Sequence, residues 1–548
     1  MVPAVVDGYR FFRSPRDETL LWRDLVQSLA SWRAVRRLPA PGSGPPALLA
    51  VFRDDVFDTK MLAVAAVALR LQGVRVIVKL PSRRMTRSRR FFEMLRLADI
   101  CFDEDERLSG SIDDGCRRDA EAIALSTHGF DAWSRLEVGP CSLGPLLLST
   151  TIRTEENGNP ADSDDAFFSK IRGRLLPAIR SIRRHQQMLE RLKPQVIVLQ
   201  EPGYDTNGPL ADVAISRGCR VVHIATSWRD DALLLKGISA QRRRVLPQTA
   251  ELESIEHALS RWSSASDAAL ERSFQERYGG QWSLQAQFHP TARPTSRTVR
   301  DELGLPAERK LAVVFSHVLW DATFWAGTDL YRNYSDWLVN VVRSAIKNPE
   351  IHWVIKSHPA NAFRHAAGDV TERCAEQRLI RETFQTLPGH ITVLPPDTHV
   401  GSLALYQEAD VGLTVRGSPG FEMACFGKPV LTAGTGAYVG FGFTHDSETV
   451  SAFEERLASL HTMGPISAEW RRRAGAYALT LFEYRPWRLR AFNMAFRIGG
   501  MRRALDRNIE PAFSSVRDLQ AAQDLRRAGR WMLEADAVDY LEMVNDAV

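Results

Sequence analysis

Short apolar runs alternate along this chain with longer segments in which apolar and polar positions are mixed. In the first half, the runs with the length and composition of buried strands are Ala47–Phe52, Val74–Leu80, Asp99–Phe102, Gln195–Gln200 and Arg220–Ala225. The second half repeats the rhythm at Leu311–Ser316, His352–Lys356, Ile391–Leu394, Val411–Val415 and Pro429–Ala433. Strands separated by helical segments are typical of mostly parallel sheets, so we predict a doubly wound α/β fold in each half.

The segments between these runs indicate where the domains divide. Met61–Leu71 is a helix candidate, and a long helical excursion is predicted over residues 161–192. The stretch Phe288–Thr298 has the Pro, Ser and Thr content of a linker. We therefore expect an N-terminal domain over residues 1–295, a second α/β domain over residues 296–480, and a C-terminal region over residues 481–548 made of helices.

Two arginine-rich segments each have two interpretations. Residues 83–90, RRMTRSRR, follow a predicted strand and could meet a phosphate-linked lipid acceptor or an anionic membrane, or could simply be a solvated face. Residues 484–503, YRPWRLRAFNMAFRIGGMRR, predict an amphipathic basic helix. That helix would either lie on a membrane surface or pack back onto the first domain.

Composition narrows the class of protein. The chain has 548 residues, 44% of them hydrophobic, which is too long for one core. Its net charge of +5 is mild, and no dense basic module indicates a nucleic-acid partner. The six cysteines are scattered without metal-site or disulfide spacing, which fits a reducing cytoplasm. With no signal-like start and no run of roughly 20 apolar residues, we expect a cytoplasmic protein, soluble or peripheral at the inner face of the plasma membrane.

The polar residues of the second half gather where its predicted strands end. Ser316, His317 and Asp321 follow one strand, and Lys356 and His358 follow the next. Ligands of open α/β sheets bind outside the carboxyl ends of the strands. This placement therefore predicts a binding site in the second half.

The stretch Ala409–Val430, ADVGLTVRGSPGFEMACFGKPV, predicts a strand, a glycine-bounded turn, a short helix and a second strand. Ser418 would cap the helix and Pro419 would occupy its first position. A helix opening there presents unpaired N–H groups to an anion such as phosphate. The carboxylate of Glu422, one turn further in, could accept hydrogen bonds from the two neighbouring hydroxyls of a ribose.

The KSHP sequence after one strand, followed by GSPGFEMACFGKPV after another, resembles the nucleotide-sugar half of GT-B glycosyltransferases. The resemblance is strongest to the bacterial surface-polysaccharide group that includes Kdo transferases, polysialyltransferases and, more distantly, teichoic-acid polyol-phosphate polymerases. It covers about residues 311–444, and the first half only by architecture. It implies two Rossmann-like domains facing a cleft.

By this resemblance His358 would contact the donor phosphate, Ser418 would bind the phosphate or nucleotide, and Glu422 would hold the ribose. The turn Gly417-Ser418-Pro419 departs from the paired Ser/Thr of cytidylate-using relatives, so the nucleotide stays open. The residues expected to bind the donor are Lys356, His358, Arg416, Gly417, Ser418, Gly420 and Glu422. The nucleotide sugar is a co-substrate, and no other cofactor is expected.

Glycosyl transfer needs positive charge or hydrogen-bond donors on the departing phosphate and a base for the acceptor hydroxyl. Lys356, His358, Arg416 and the helix start at Ser418 could stabilise the phosphate without a metal ion, and we predict none. Asp321 and His317 are the base candidates in the second half.

The first half offers further candidates after two of its strands. Glu201, Tyr204 and Asp205 lie on a Gly/Pro turn that suits an acceptor floor, with Glu201 and Asp205 as candidate bases. Three carboxylates follow the first strand and form a third set, although helix capping explains them as well: Asp54, Asp55 and Asp58.

The sequence thus predicts a glycosyltransferase acting on a bacterial surface polysaccharide or glycolipid. Three alternatives stay open: a polyol-phosphate transferase, a nucleotide-sugar epimerase, and a non-catalytic scaffold that binds nucleotide sugar or polysaccharide.

Overall fold

A computed structural model describes residues 15–282, 298–321, 324–366, 374–498, 505–534 and 536–542. The predicted linker 288–298 lies outside the described residues except for Thr298, which caps a short helix through its hydroxyl. The expected domain boundary at residue 295 lies outside them as well.

The strands, numbered in chain order, are β1 Ala47–Ala50, β2 Val76–Leu80, β3 Asp99–Phe102, β4 Val196–Leu199, β5 Arg220–Thr226, β6 Ala232–Ile238, β7 Lys310–Phe315, β8 Ile351–Lys356, β9 Ile391–Leu394, β10 Val411–Thr414, β11 Val430–Thr432, β12 His445–Asp446, β13 Trp487–Arg488, β14 Phe492–Ile498 and β15 Leu505–Pro511.

The α-helices, in the same order, are α1 Pro15–Ser31, α2 Val56–Arg70, α3 Thr86–Leu95, α4 Gly110–Ser126, α5 Gly129–Ser134, α6 Leu143–Glu155, α7 Asp165–Leu192, α8 Gly208–Ser216, α9 Leu252–Ser260, α10 Ser264–Tyr278, α11 Val299–Leu303, α12 Tyr334–Lys347, α13 Ala360–Ala366, α14 Ala375–Thr383, α15 Ser402–Glu408, α16 Pro419–Cys425, α17 Val450–Ala458, α18 Ala468–Leu479, α19 Val516–Ala521 and α20 Gln523–Glu534. Among the described residues, no helix is both long and apolar enough to cross a membrane.

The chain forms two compact units, and both are discontinuous in sequence. Unit 1 comprises residues 1–151, 161–244 and 485–548, and unit 2 comprises residues 152–160 and 245–484. The change from one unit to the other therefore falls between Arg244 and Val245, earlier than the residue 295 expected from the linker-like composition.

Unit 1 is built on a sheet with strand order β13-β6-β5-β4-β1-β2-β3. Strands β1 to β5 are parallel, and β6 and β13 add an antiparallel edge. Every residue of β1 and β4 is buried, as expected for central strands of a sheet covered on both faces.

Unit 2 is built on a parallel sheet with strand order β12-β11-β10-β7-β8-β9. Alternate residues of β7 enter two separate cores, with Ala312 and Val314 in one and Leu311, Val313 and Phe315 in the other. The two-residue period of a strand explains this division, since successive side chains point to opposite faces. The predicted doubly wound α/β fold is confirmed in both units.

The C-terminal region differs from its prediction. The expected basic helix over residues 484–503 is wrong, because β13 and β14 occupy its described part. Strand β14 pairs antiparallel with β15, with Phe492 opposite Pro511. The region 485–542 belongs to unit 1, where β13 extends the sheet beside β6 and α20 packs against α2.

Candidate functional site

The candidate site of unit 2 lies at the point in its sheet where the order of the strands reverses direction. Strand β7 pairs with β8 on one side and with β10 on the other, so the loops after β7 and β10 leave the sheet in opposite directions. Such a topological switch point opens a crevice at the carboxyl ends of the strands. The residues around it are Ser316 and His317 after β7, His358 after β8, and Gly417 and Ser418 after β10.

His317 holds the start of the loop after β10. Its Nε2 accepts hydrogen bonds from the N–H of Val415 at 3.1 Å and of Arg416 at 3.4 Å, and its ring stacks on Tyr334 at 4.4 Å between centroids. Burial, together with the charges of His358 and Arg416, lowers the pKa of His317 to about 3. A neutral ring whose Nε2 accepts must carry its proton on Nδ1.

His317 is therefore a hydrogen-bond donor rather than the general base that the sequence suggested. Its Nδ1 has no hydrogen-bond partner among the residues that the structure describes. The ring borders the glycine turn, since a Cβ on Gly417 would lie 3.6 Å from His317 Cε1. The Nδ1–H is thus available to a ligand at the switch point.

His358 is oriented by backbone contacts in a similar way. Its Nδ1 accepts the N–H of Ala360 at 3.2 Å, which leaves the ring proton on Nε2. Its own backbone N–H donates to Glu376 Oε1 at 2.9 Å. The half-buried imidazole of His358 is thus a second N–H donor, close enough to His317 for its charge to lower the pKa of that residue.

Ser418 lies beside these rings at the start of α16. Ser418 occupies the N-cap position with Pro419 at the helix start, as predicted, but its backbone is helical and its hydroxyl makes no capping hydrogen bond. The side chain is half-buried and its hydroxyl has no partner among the described residues. It is the third polar group at this end of the sheet that a ligand could use.

Glu376 organises the site and was not predicted. Its fully buried carboxylate accepts from the Ser316 hydroxyl at 2.9 Å, from the His358 N–H at 2.9 Å, and from Asn361 Nδ2 at 2.6 Å. One side chain on α14 therefore ties together the loops after β7 and β8. Burial raises the pKa of Glu376. A single glutamate within AEQRLIRET carries no sequence signal for this role.

Two of the predicted donor-binding cations make hydrogen bonds within unit 2. Arg416 donates to Asp329 at 2.8 Å through Nε and to the carbonyl of Ala326 at 2.6 Å, which links the loops after β7 and β10. Lys356 is buried and donates to the carbonyl of Val400 at 3.3 Å, and burial lowers its pKa to about 8. Both side chains thus have partners within the protein, and their contact with the donor stays a prediction.

Glu422 also has partners within unit 2. The carboxylate is fully buried, forms a 3.0 Å ion pair with Arg277, and accepts a hydrogen bond from the Tyr278 hydroxyl. Arg277 is itself 4% exposed, and the pKa of its guanidinium is raised chiefly by Glu422. The structure therefore places Glu422 in an internal ion pair that joins α16 to α10, and its ribose-binding role stays a prediction.

At Gly417 and Gly420 in the turn, a Cβ would be crowded by different neighbouring groups. A Cβ on Gly420 would lie 2.0 Å from the Tyr438 hydroxyl oxygen, which instead donates to the carbonyl of Gly417 at 2.7 Å. Gly420 therefore makes room for Tyr438, and its contact with the donor stays a prediction. A Cβ on Gly417 would lie 2.9 Å from the Thr414 hydroxyl oxygen, which instead accepts the Gly417 N–H at 3.2 Å.

The remaining base candidates lie elsewhere. Asp321 follows β7 and forms a partly exposed 3.5 Å ion pair with Arg153, and its catalytic role stays a prediction. In unit 1, Asp205 pairs with Arg174 at 3.1 Å and donates its N–H to Thr150, which are structural contacts. Glu201 is exposed and has a left-handed backbone with φ of 49°. Across the described ranges, no cluster of three or more His, Cys, Asp or Glu residues could hold a metal ion.

No protein-family model matches this sequence, and the search among curated proteins finds no significant match. Among solved structures, the chain is similar to the KpsC β-Kdo 2,7 transferase of Thermosulfurimonas dismutans, with 18% identity, a TM-score of 0.30, and coverage of 54% of this chain and 80% of that one. The UDP-GlcNAc 2-epimerase of Neisseria meningitidis matches with 13% identity, a TM-score of 0.26, and coverage of 79% and 97%.

The spinosyn rhamnosyltransferase SpnG matches with 10% identity, a TM-score of 0.26, and coverage of 80% of this chain and 95% of that one. Kdo transferases, which the KSHP and GSPGFEMACFGKPV motifs indicated, are thus among the structures that this chain resembles. Because these TM-scores are low, the function proposed below rests on the side chains of this chain.

Proposed function

We propose that this protein is a glycosyltransferase that moves a sugar from a nucleotide-activated donor to a bacterial surface polysaccharide or glycolipid. The donor phosphates would lie at the switch point of unit 2, against His317, His358 and Ser418. The nucleotide sugar is then a co-substrate, and the reaction needs no metal ion.

The observation that carries this proposal is the buried ring of His317 at the switch point, whose Nδ1–H has no hydrogen-bond partner among the described residues. Backbone N–H groups occupy Nε2 of His317 and Nδ1 of His358, so the ring proton lies on Nδ1 of His317 and on Nε2 of His358. Phosphate oxygens accept such hydrogen bonds, and donors fixed by the fold stabilise the charge that develops on a departing phosphate. Ser418 adds a hydroxyl without a partner among the described residues.

The test is calorimetric titration of the full chain with CMP, UDP, GDP, CDP and TDP. We expect one nucleotide to bind, and His358→Ala and Ser418→Ala each to weaken it about tenfold, the order of one lost hydrogen bond to a charged group. His358→Gln, whose side-chain amide can replace the Nε2–H, should retain more affinity than His358→Ala.

His399→Ala is the matched control, since His399 is an exposed histidine of the same unit that pairs with Glu302. It should bind the nucleotide as the unsubstituted chain does. A folded protein that binds none of the five, or whose binding ignores both His358→Ala and Ser418→Ala, contradicts the proposal.

Product analysis with the nucleotide sugar chosen by this panel separates the rival activities. A glycosyltransferase consumes the donor only when an acceptor saccharide or glycolipid is present, and it leaves no phosphorus in the product. An epimerase converts the donor alone, and a polyol-phosphate transferase leaves a phosphodiester visible by ³¹P NMR. Chelation with EDTA should leave the transfer rate unchanged.

A further inference from the structure

Unit 1 contains a cavity at its own topological switch point. Strand β1 lies between β2 and β4, and the cavity opens beyond the carboxyl ends of β1, β4 and β5. Its volume is about 90 Å³, several times the roughly 10–15 Å³ that one water molecule needs. Its polar lining includes Arg53, Asp58, Gln200, Glu201, His223 and Arg507.

Two buried polar atoms of this lining have no hydrogen-bond partner among the described residues. Gln200 is 3% exposed, and its orientation is fixed because Nε2 donates to the carbonyl of Asp58 at 3.1 Å. Its Oε1 is therefore an acceptor with no donor. His223 is 5% exposed, and its Nδ1 has no partner either.

An unpaired buried polar atom costs about 1–3 kcal/mol, so two of them side by side indicate a place where something else completes the hydrogen bonds. Gln200 directly follows β4, His223 lies in the adjacent strand β5, and both residues line the cavity. The cavity is thus lined from adjacent strands by two residues that each carry an unpaired buried polar atom.

The charges of the cavity are already paired within the protein. Arg53 Nε donates to Asp58 Oδ2 at 3.0 Å, and Arg507 lies 3.7 Å from Asp55 Oδ1 and 4.7 Å above the Phe57 ring. Burial next to Lys236 and Arg485 lowers the pKa of His223 to about 3, so its ring is neutral. The site therefore offers no unpaired cation for a phosphate and has no excess anion for an amine.

The ligand that suits such a lining is neutral and both donates and accepts hydrogen bonds. Hydroxyl groups do this, and neighbouring hydroxyls on a sugar ring could reach Gln200 Oε1, His223 and the carboxylate of Asp58 together. Met61 adds an apolar side chain to the lining for the C–H face of a ring. Glu201 borders the cavity with φ of 49°, a conformation that non-glycine residues keep mainly where the surrounding structure enforces it.

We propose that this cavity binds a saccharide through neighbouring hydroxyl groups, with Gln200 as the acceptor and His223 and Asp58 as further contacts. The binding stands on the geometry of unit 1 alone. That this saccharide is the acceptor of the transfer rests on the function proposed above.

The test is saturation-transfer NMR of the full chain, without nucleotide, against glucose, galactose, mannose, N-acetylglucosamine and ribose, with inorganic phosphate titrated separately. We expect at least one saccharide to bind, and His223→Leu and Gln200→Leu each to reduce its signal at least fivefold. His128→Leu, at an exposed histidine of the same unit, is the control and should change nothing.

A second readout separates a ligand site from a structural one. Because His223 Nδ1 has no partner, His223→Leu should leave the melting temperature of the free protein unchanged or raise it while binding is lost. A variant that loses binding only together with stability would overturn the proposal. So would binding of no saccharide by the unsubstituted chain, which would mean a cavity filled by water only, or binding of phosphate in place of sugar.

The outcome is independent of the donor site. His358→Ala should weaken nucleotide binding about tenfold and leave the saccharide signal intact, whereas His223→Leu should reduce the saccharide signal and leave nucleotide binding intact. Failure of the nucleotide panel with intact saccharide binding would remove the transferase function and keep this site.

Discussion

Histidine, glutamate and arginine side chains at the candidate site differ in what their surroundings let them do. His317 keeps its Nδ1–H for a ligand because backbone N–H groups occupy its Nε2, and the N–H of Ala360 fixes the tautomer of His358 in the same way. In the sequence, Glu422 and Arg416 look equally suited to bind a ligand. In the structure, Glu422 pairs with Arg277 and Arg416 pairs with Asp329. The residue type alone does not separate these cases, and the hydrogen-bond partners do.

The ion pair of Arg277 and Glu422 gives a prediction that distinguishes structure from ligand binding. Both side chains are buried, so Arg277→Met leaves a carboxylate without its cation and should destabilise unit 2 by about 3–5 kcal/mol. Arg277→Met combined with Glu422→Leu should recover most of that loss, measured by urea unfolding. If the double variant were as unstable as the single one, the pair would not be the reason for burying Glu422.

Gly420 gives a second prediction at this scale. A Cβ there would lie 2.0 Å from the Tyr438 hydroxyl oxygen, so Gly420→Ala should destabilise the protein by about 1–3 kcal/mol through overpacking. Gly464→Ala is the comparison, since a Cβ at Gly464 meets nothing within 4 Å. Denaturant unfolding of the two variants side by side checks the difference, and equal stabilities would contradict it.

The burial of Lys356 leads to a prediction of how the stability of the folded protein depends on pH. Burial lowers its pKa from 10.5 to about 8, so the folded state disfavours the charged amine. Below pH 8 the amine is charged in both states and the folded protein carries the full penalty. Between pH 8 and 10.5 only the unfolded chain keeps the proton, so this penalty fades as the pH rises.

Lys356→Met should therefore raise the stability by about 1–2 kcal/mol at pH 7, after allowance for the lost hydrogen bond to Val400. The gain over the unsubstituted chain should shrink steadily between pH 8 and 10.5 in thermal melts. A constant gain across that range would show that the amine does not titrate there.

At the scale of elements, buried parallel strands were predictable and the C-terminal hairpin was not. All ten apolar runs correspond to strands β1 to β5 and β7 to β11, because a strand covered on both faces must be apolar throughout. The run Ala232–Ile238 has the same composition and forms β6, which our prediction omits. In β14 the aromatic residues Phe492 and Phe496 are four apart, a spacing that fits a helix and a strand equally.

Residues 492–498 form a strand because they pair with β15, which lies further along the chain than a local sequence pattern reaches. The same limit applies to the site. Strand ends locate His317, His358 and Ser418 because topology gathers the carboxyl ends of parallel strands. Glu376, Asp329 and Tyr334 come from helices and loops whose contacts with these residues leave no local pattern.

At the scale of the molecule, unit 1 depends on a segment that follows unit 2 in sequence. Helix α20 crosses α2 so closely that a Cβ on Gly529 would lie 2.4 Å from the carbonyl oxygen of Ala68. Arg220 of β5 also donates to the carbonyls of Trp531 and Met532. The pattern of apolar and polar residues cannot predict a discontinuous unit of this kind, because the pattern reports only on residues that are close in sequence.

Gly529→Val should therefore loosen unit 1 selectively. We expect hydrogen exchange to accelerate at amides of residues 47–244 that belong to unit 1, while amides of residues 310–479 keep their protection. Gly110→Ala, where a Cβ meets nothing within 4 Å, is the control in the same unit. Equal acceleration in both units would show that the close crossing of α2 and α20 does not define a separately stable body.

The split of unit 1 also bears on how the chain is made. Synthesis proceeds from the N-terminus, so all of unit 2 is translated before residues 485–548, the piece that completes unit 1. Until then β6 lacks its edge partner β13, and the face of α2 that α20 will cover is bare. Exposed strand edges and apolar faces favour aggregation. The nascent chain is therefore most in need of a chaperone late in translation, when unit 1 is nearly complete and still unable to close.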